Sequence, residues 1–243
     1  MLFIFSTQGS QGEIKAHQKT EVWEPVPKKV EAVANSFPSD AIVLFDGTSL
    51  DAWTDKQGES AKWHISPYAM EVATGTGDIF TKQSFCDVQL HLEFQTAIEP
   101  DKTDQHRGNS GVFLQTLYEV QILDNYIYTN SDDKNNTNIT YSNGQVGAVY
   151  KQFIPLVNPS RPAGEWQTYD IIYKAPRFDK EALISPAYLT VLLNGVLIQN
   201  HVALKGKTKF VGPPNYTPHE CLPIRLQDHK SANRFRNIWV REL

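Results

Sequence analysis

Apolar and polar residues alternate along several short segments of the chain. This pattern runs through residues 88–94, 118–123, 169–173 and 224–229. A period of two residues is typical of a β-strand with one buried face, because successive side chains point to opposite sides of a sheet. No apolar stretch with the 3.6-residue period of a helix extends beyond three turns. The pattern therefore predicts an all-β protein, which we interpret as a single antiparallel β-sandwich.

The dipeptide Asn194-Gly195 predicts a tight β-hairpin. Apolar residues precede it at 189–193 and follow it at 196–198. Asn-Gly suits the positive φ angles of a type I′ turn, which matches the twist of the paired strands. A second feature, the polar run over residues 129–143, predicts a long loop between two ordered stretches. Such loops are often functional, and a tolerated insertion is the alternative.

The first 39 residues differ in character from the rest of the chain. They are polar and contain Pro25, Pro27 and Pro38. The helical spacing of valines after Pro27 is compatible with a short helix near Lys28–Ala34. The apolar start at residues 1–5 is too short for a signal peptide and lacks basic residues, but it is compatible with the tail of one. We interpret residues 1–39 as an N-terminal arm with a signal remnant and residues 40–243 as one domain.

Composition narrows the class of ligand. Of 243 residues, 40% are hydrophobic and 21% are charged, with 23 Lys and Arg against 27 Asp and Glu. The net charge of −4, without a run of basic residues, argues against a nucleic-acid binder or a basic membrane-surface protein. No segment approaches the length of a membrane span. The ligand is therefore expected to be neutral or mildly polar.

The two cysteines, Cys86 and Cys221, are 135 residues apart. The sequence does not decide whether they pair. The simpler interpretation, and the one we favour at this stage, is that they are two separate buried side chains.

The sequence contains none of the short motifs that identify a nucleotide-binding site, a zinc protease or a serine hydrolase. What remains is a set of polar residues on the predicted outer faces of strands. Glu119 and Gln121 share one such face, and Arg225, Gln227 and His229 share another. Carboxylates, amides and aromatic rings are the groups that sugar hydroxyls and sugar faces require.

Eight segments, in order, carry a resemblance to a known family. They are Leu44–Trp53 (LFDGTSLDAW), Gly77–Thr81 (GDIFT), Gly108–Val112 (GNSGV), Tyr118–Asp124 (YEVQILD), Gly164–Asp170 (GEWQTYD), Leu193–Val196 (LNGV), Pro223–His229 (PIRLQDH) and Phe235–Val240 (FRNIWV). The chain from about residue 40 onward resembles the bacterial 3-keto-disaccharide hydrolase domain family. The resemblance implies a concanavalin A-like jelly roll with a sugar bound on its concave sheet. It also implies export to the periplasm or the cell exterior, and a sugar 3-dehydrogenase as the upstream partner that supplies the keto-sugar.

The resemblance implies a reaction in which the ketone acidifies the hydrogen on C2, so that a base removes it and the C1 aglycone leaves by elimination. We expect Glu119 and His229 to act as base and acid. Arg107 is expected to polarise the ketone or the enolate, while Asp124 and Gln121 orient the site and the sugar. Asp124 has the opposite strand parity from Glu119, which argues against the close carboxylate pair of a retaining glucanase.

The remaining candidates are expected to contact the sugar: Asn109, Gln121, Gln145, Lys151, Gln227 and Trp166. No cofactor is required by the sequence. A divalent metal is compatible with the ligand types of His229, Glu119 and Asp124, although no spacing demands one.

Two other functions remain open at this stage. One is conventional hydrolysis of unoxidised glucosides by a laminarinase-like enzyme. The other is a non-catalytic, lectin-like carbohydrate-binding module, since the same sandwich serves both purposes.

Overall fold

The computed structural model describes residues 16–34, 36–127 and 137–243. Within these residues the regular structure is nearly all strand. The strands, in chain order, are β1 (Ile42–Phe45), β2 (Trp53–Thr54), β3 (His64–Ser66), β4 (Ala69–Glu71), β5 (Ile79–Phe85), β6 (Val88–Gln95), β7 (Ser110–Leu114), β8 (Tyr118–Ile122), β9 (Trp166–Lys174), β10 (Arg177–Asp179), β11 (Ala182–Ser185), β12 (Tyr188–Leu193), β13 (Val196–Ala203), β14 (Leu222–Leu226) and β15 (Arg234–Glu242). Short 3₁₀ helices lie at Ala16–Thr20, Asp104–His106 and Ser142–Gly144.

Two antiparallel sheets form the body of the molecule. The larger has the strand order β13-β12-β9-β6-β15-β4-β3, with β1 also paired to β15. The smaller has the order β2-β5-β14-β7-β8, and β10 and β11 form a separate hairpin. This is the predicted antiparallel β-sandwich of the concanavalin A-like type, and the fold class is confirmed.

The core lies between the two sheets and is built from the alternating apolar residues. Along β6, every second residue is buried, from Val88 to Phe94. Tyr169 of the larger sheet packs against Phe94, with ring centroids 4.8 Å apart, and its hydroxyl donates to the Gln121 carbonyl of the smaller sheet at 2.7 Å. The period-two pattern therefore identified the side chains of β6 and β9 that enter the core.

The structure confirms the predicted hairpin. Asn194 and Gly195 have φ angles of 53° and 77°, and Leu193 pairs with Val196 across the turn. The short helix near Lys28–Ala34 is absent, so that prediction was wrong. The backbone is not helical there because it makes other hydrogen bonds. The Glu31 backbone amide donates to Ser39 Oγ at 2.9 Å, and the Ser39 backbone amide donates to the Glu31 carbonyl at 3.0 Å. Of the predicted polar loop 129–143, residues 129–136 lie outside the described residues.

Cys86 and Cys221 form a disulfide, with Cα atoms 4.8 Å apart. The preferred interpretation of two separate thiols is therefore corrected. The cysteines are neighbours because Phe85 and Leu222, which stand beside them in the sequence, are directly paired between β5 and β14. Strand pairing across 135 residues is not encoded in any local pattern. The described residues contain no helix long and apolar enough to cross a membrane.

Candidate active site

A cavity of about 600 Å³ lies against the outer face of the smaller sheet. That volume is within the range of sugar-sized binding sites. Its walls come from β7, β8, the residues after β14 and the three loops β6–β7, β8–β9 and β13–β14. They are Asp104, Gln105, His106, Asn109, Phe113, Glu119, Gln121, Tyr141, Tyr150, Lys151, Thr208, Phe210, Gln227 and His229.

Strand β8 is buried on both of its faces. Tyr118, Val120 and Ile122 face the core, and Glu119 and Gln121 face the cavity. Residues 147–150 of the loop between β8 and β9 run alongside β8, and the backbone amide of Gln121 donates to the Ala148 carbonyl at 3.0 Å. The predicted shared face of Glu119 and Gln121 is thus confirmed, and it forms a wall of the cavity.

Glu119 is a buried carboxyl group in this wall, with 5% of its surface exposed. Burial, which disfavours the charged form, raises the pKa of Glu119 to about 8. The Arg225 guanidinium, which stacks 3.5 Å above the ring of Phe113, partly opposes this effect. Phe113 is the cross-strand neighbour of Glu119. At neutral pH the side chain is therefore an acid that carries a proton to donate.

Two neighbours fix the position of Glu119. A Cβ atom added at Gly111 would lie 2.7 Å from Glu119 Oε1, so only glycine leaves room for the carboxyl group there. The Gln121 carboxamide lies between two partners: one end is 3.0 Å from Gln105 Oε1 and the other is 3.1 Å from Glu119 Oε1. The carboxyl group is held in place before any ligand binds.

His229 lies three residues beyond the end of β14 and lines the same cavity. Burial lowers the pKa of His229 below its ordinary 6.5, and the nearby His106 acts in the same direction. The segment that carries it is well anchored: the Asp228 amide donates to Asp78 Oδ1 at 2.9 Å. At neutral pH the imidazole is therefore uncharged and able to accept a proton.

Amide groups occupy the floor near His229. Asn109 Nδ2 donates to the Gln105 carbonyl at 2.6 Å, and Ser110 Oγ donates to the Gln227 carbonyl at 2.7 Å. Within the part of the chain that the structure describes, the buried Gln227 Oε1 has no hydrogen-bond partner. Leaving such a group unpaired costs about 1–3 kcal/mol, which a ligand hydroxyl would offset.

A pair of tyrosines closes the cavity beyond β8. The hydroxyls of Tyr141 and Tyr150 are 2.6 Å apart, and burial raises the pKa of both. Lys151 Nζ donates to the Phe210 carbonyl at 2.7 Å and lies 4.2 Å from the centroid of the Phe210 ring. The lysine therefore ties the loop of Phe210 to the cavity rim.

Four predicted site residues do not line the cavity. Arg107 and Asp124 form a buried ion pair, with Nε 2.6 Å from Oδ2. The Arg107 guanidinium is bound to Asp124 beneath the surface and is not among the cavity walls. Gln145 lies beside the cavity but outside its walls, and its carbonyl accepts from the Ala148 amide at 3.0 Å.

Trp166 lies far from these residues, in the larger sheet. It begins β9 and shares the outer face of that sheet with Arg236, whose guanidinium is 4.1 Å from the ring centroid. Trp166 therefore does not line the cavity on the smaller sheet. The sequence offered it as a sugar contact by residue type alone, without a sheet assignment.

The other six predicted residues are brought together at the cavity: Asn109, Glu119, Gln121, Lys151, Gln227 and His229. Sequence reasoning missed Tyr141, Tyr150 and His106 as wall residues, because loops bring them there. Among the described residues, no three His, Cys, Asp or Glu side chains are grouped to hold a metal ion. Of the three ligand types that the sequence offered, Glu119 and His229 line the cavity, and Asp124 is paired with Arg107 outside its walls.

Comparisons with known proteins bear on the family and the fold of the chain. Residues 40–241 match the model of a family described as the 3-keto-alpha-glucoside-1,2-lyase-like domain. A solved chain from Parabacteroides distasonis ATCC 8503, named a "putative glycosyl hydrolase", is 44% identical, with a TM-score of 0.86 over 93% of this chain and 96% of that one. Two other chains of that organism with the same name are 18% and 20% identical, cover 84% and 82% of this chain and 94% and 98% of their own, and have TM-scores of 0.60 and 0.53, which shows the fold alone. No curated protein has a sequence that matches this one.

Proposed function

The chain belongs to the family of 3-keto-alpha-glucoside-1,2-lyase-like domains, and we propose that it cleaves 3-keto-glycosides by elimination of the aglycone followed by hydration. Family membership and the 44% identical glycosyl hydrolase make it an enzyme of the glycosidase class. The observation that carries the finer proposal is the presence of a protonated carboxyl group and a neutral imidazole in one sugar-sized cavity.

The first step transfers a proton from C2 of the keto-sugar to His229. The electron pair of the C2–H bond forms an enolate with the C3 ketone, then a C1–C2 double bond as the C1–O bond breaks. Glu119 donates its proton to the departing oxygen, which leaves as an alcohol. Two groups with pKa values displaced in opposite senses suit this division of roles.

The second step restores both groups. Water adds through its oxygen to C1 of the enone, and the Glu119 carboxylate takes the proton of that water. The His229 imidazolium exchanges its proton with solvent and then returns a solvent-derived proton to C2. The net reaction is hydrolysis, and the enzyme ends in its starting protonation state without a redox change.

The enolate needs a hydrogen-bond donor, and Arg107 does not supply one. The Tyr141–Tyr150 pair is better placed, because both tyrosines line the cavity. One hydroxyl donates to the other, which leaves the second hydroxyl free to donate toward the C3 oxygen. Hydrogen bonds in such a chain strengthen one another, and a buried phenol gives up its proton only reluctantly.

The sugar hydroxyls have partners on the cavity floor. Asn109 and Gln227 offer amide groups, and Gln227 Oε1 has an unused acceptor position among the described residues. Phe113 provides an apolar surface for a sugar face. Lys151 holds the rim through Phe210.

The proposal requires no metal, and it places the protein outside the cytoplasm. The Cys86–Cys221 disulfide supports a periplasmic or extracellular site, since disulfides persist in oxidising compartments. A sugar 3-dehydrogenase acting upstream would supply the ketone.

The test is product analysis by NMR in D₂O with 3-keto-trehalose and unoxidised trehalose. We expect 3-keto-glucose from the keto-substrate alone, with deuterium at C2, in the presence or absence of EDTA. Glu119→Gln and His229→Ala should each lower kcat by about 10²–10⁴-fold. The exposed residues Glu220 and His201 offer matched controls, Glu220→Gln and His201→Ala, which should keep full activity.

Three results would contradict the proposal in different ways. Cleavage without deuterium at C2 would exclude the elimination route. Equal cleavage of unoxidised trehalose would identify a conventional glycosidase. Binding of both sugars without cleavage of either would identify a lectin-like module.

A further inference from the structure

A second depression, of about 490 Å³, adjoins the cavity on the same face of the smaller sheet. Its walls include Asp78, Phe80 and Arg225. Directly paired residues of antiparallel strands point to the same face, so pairing traces one row of side chains across the sheet. The row runs through Thr54, Phe80, Arg225, Phe113 and Glu119. It begins at the edge strand β2 and ends at the candidate acid.

The boundary between the two depressions is a stacked pair. Phe113 lines the first depression, Arg225 lines the second, and the guanidinium carbon is 3.5 Å from the ring centroid. Strands lie about 4.8 Å apart, so the three spacings from β8 to β5 span roughly 14 Å. That distance exceeds one pyranose ring.

Two buried polar atoms along this face lack partners among the described residues. Arg225 Nη1 donates to Asp78 Oδ2 at 2.9 Å, but Arg225 Nε makes no hydrogen bond. Gln227 Oε1, two residues further along the chain, is also buried without a hydrogen-bond partner among the described residues. One atom is a donor beside the second depression and the other is an acceptor beside the first, and sugar hydroxyls satisfy both types.

The wall of the second depression is fixed before a ligand arrives. Asp228 Oδ2 accepts from the amides of Gly75 and Gly77 at 2.6 and 3.0 Å. Asp78 accepts from both the Asp228 amide and Arg225. These bonds hold the loop before β5 against the segment that carries His229, so the two depressions keep a fixed relation.

The row is covered at one end. Tyr150 donates from its amide to the Glu119 carbonyl at 3.3 Å, and Gly147 donates to the Gln121 carbonyl at 2.9 Å. These bonds hold the segment beside the edge of β8, where Tyr141 and Tyr150 form cavity walls. A saccharide chain whose terminal ring occupies the first depression therefore continues toward β5.

We propose that the second depression binds the leaving-group sugars of a gluco-oligosaccharide, with one pyranose ring against Phe80 and its hydroxyls at Arg225. The enzyme then acts on the terminal unit of a chain, rather than on a glucoside of a small alcohol. The assignment of which ring reacts rests on the proposed function, whereas the binding of an extended chain does not.

The experiment measures binding by isothermal titration with glucose and with α-linked and β-linked gluco-oligosaccharides of two to four units, all unoxidised. We expect affinity to rise from one unit to three in at least one series. Phe80→Ala should remove that rise, lowering affinity for the trisaccharide by about two- to tenfold, while glucose binding stays unchanged. Phe178→Ala is the matched control, since Phe178 is also half-buried but lines a separate depression beside the disulfide.

The proposal is overturned if affinity stays flat with chain length in both series, or if Phe80→Ala retains the full rise. Circular dichroism of Phe80→Ala separates loss of a contact from loss of the fold. If binding depends on chain length but no keto-substrate is cleaved, the second depression keeps its assignment and the proposed reaction is rejected. If a keto-substrate is cleaved but binding does not depend on chain length, the proposed reaction stands and the assignment of the second depression is rejected.

Discussion

Burial acts in opposite directions on the two groups that face the sugar, because it disfavours the charged form of each. It keeps the proton on Glu119 up to about pH 8 and removes the proton from His229 at a pH below 6.5. At neutral pH the carboxyl group is therefore protonated, which is not its usual state, and the imidazole is held uncharged. Burial in this way supplies one acid and one base to the same cavity.

The pH dependence of turnover follows from these two groups. Elimination requires protonated Glu119, so kcat should fall as the pH rises through about 8. It also requires neutral His229, so kcat should fall on the acid side below pH 6.5. Initial rates with 3-keto-trehalose from pH 4 to 10 measure both limbs. A profile that rises through pH 8 would contradict the role of Glu119 as the acid.

Glu119 also sets a pH dependence of stability that needs no substrate. The folded protein holds the proton up to about pH 8, whereas the unfolded chain releases it near 4.5. The contribution of this group is complete below pH 4.5 and is lost as the pH rises through about 8. In Glu119→Gln the side chain does not titrate, so the variant does not lose this contribution to stability as the pH rises. The variant should therefore become more stable than the wild type at pH 9, by up to roughly 4–5 kcal/mol.

Urea unfolding at pH 5, 7 and 9 measures this difference. Glu220→Gln, at an exposed position, is the control and should show no such trend. An equal stability of Glu119→Gln and wild type at all three pH values would mean that the carboxyl group is ionised in the folded protein.

At the scale of the element, β8 carries most of the chemistry because both of its faces are covered. The alternation in residues 118–122 was sufficient to assign Glu119 and Gln121 to one face. It was not sufficient to say what covers that face, because Tyr141 and Tyr150 come from a loop without periodicity. Arg107 and Trp166 lie away from the cavity for a related reason: a residue type suggests a chemistry, but strand pairing and burial decide which surface its side chain reaches.

Gly111 in β7 tests how tightly β7 and β8 define the acid. In Gly111→Ala, the new methyl group would overlap Glu119 Oε1 and Phe113, so the carboxyl group must move. We expect kcat to fall by about 10- to 100-fold, since small displacements of a catalytic group are costly. Overpacking should lower stability by about 1–3 kcal/mol.

Steady-state kinetics and thermal unfolding of Gly111→Ala separate these effects. Ser84→Ala, at an exposed position of β5 in the same sheet, should change neither. Unchanged kcat in Gly111→Ala, with the expected loss of stability, would show that Glu119 tolerates displacement and would weaken its assignment as the acid.

At the scale of the whole molecule, one covalent link joins two neighbouring strands of the sheet that carries the site. The Cys86–Cys221 disulfide joins β5 to β14, and β14 leads directly to Gln227 and His229. Closing a loop of this size is expected to stabilise the folded state by about 2–5 kcal/mol, mainly by restricting the unfolded chain. The cavity itself does not include either cysteine.

Cys86→Ser/Cys221→Ser should therefore lose about 2–5 kcal/mol in the free energy of unfolding while it keeps kcat and KM near wild-type values at 25 °C. Urea unfolding of the oxidised wild type, the reduced wild type and the double variant measures the first part, and the keto-sugar assay measures the second. The reduced wild type should match the double variant, because both lack only the cross-link. Loss of activity without loss of stability would instead mean that the disulfide positions His229 through β14, so that the covalent link and the catalytic geometry depend on one another.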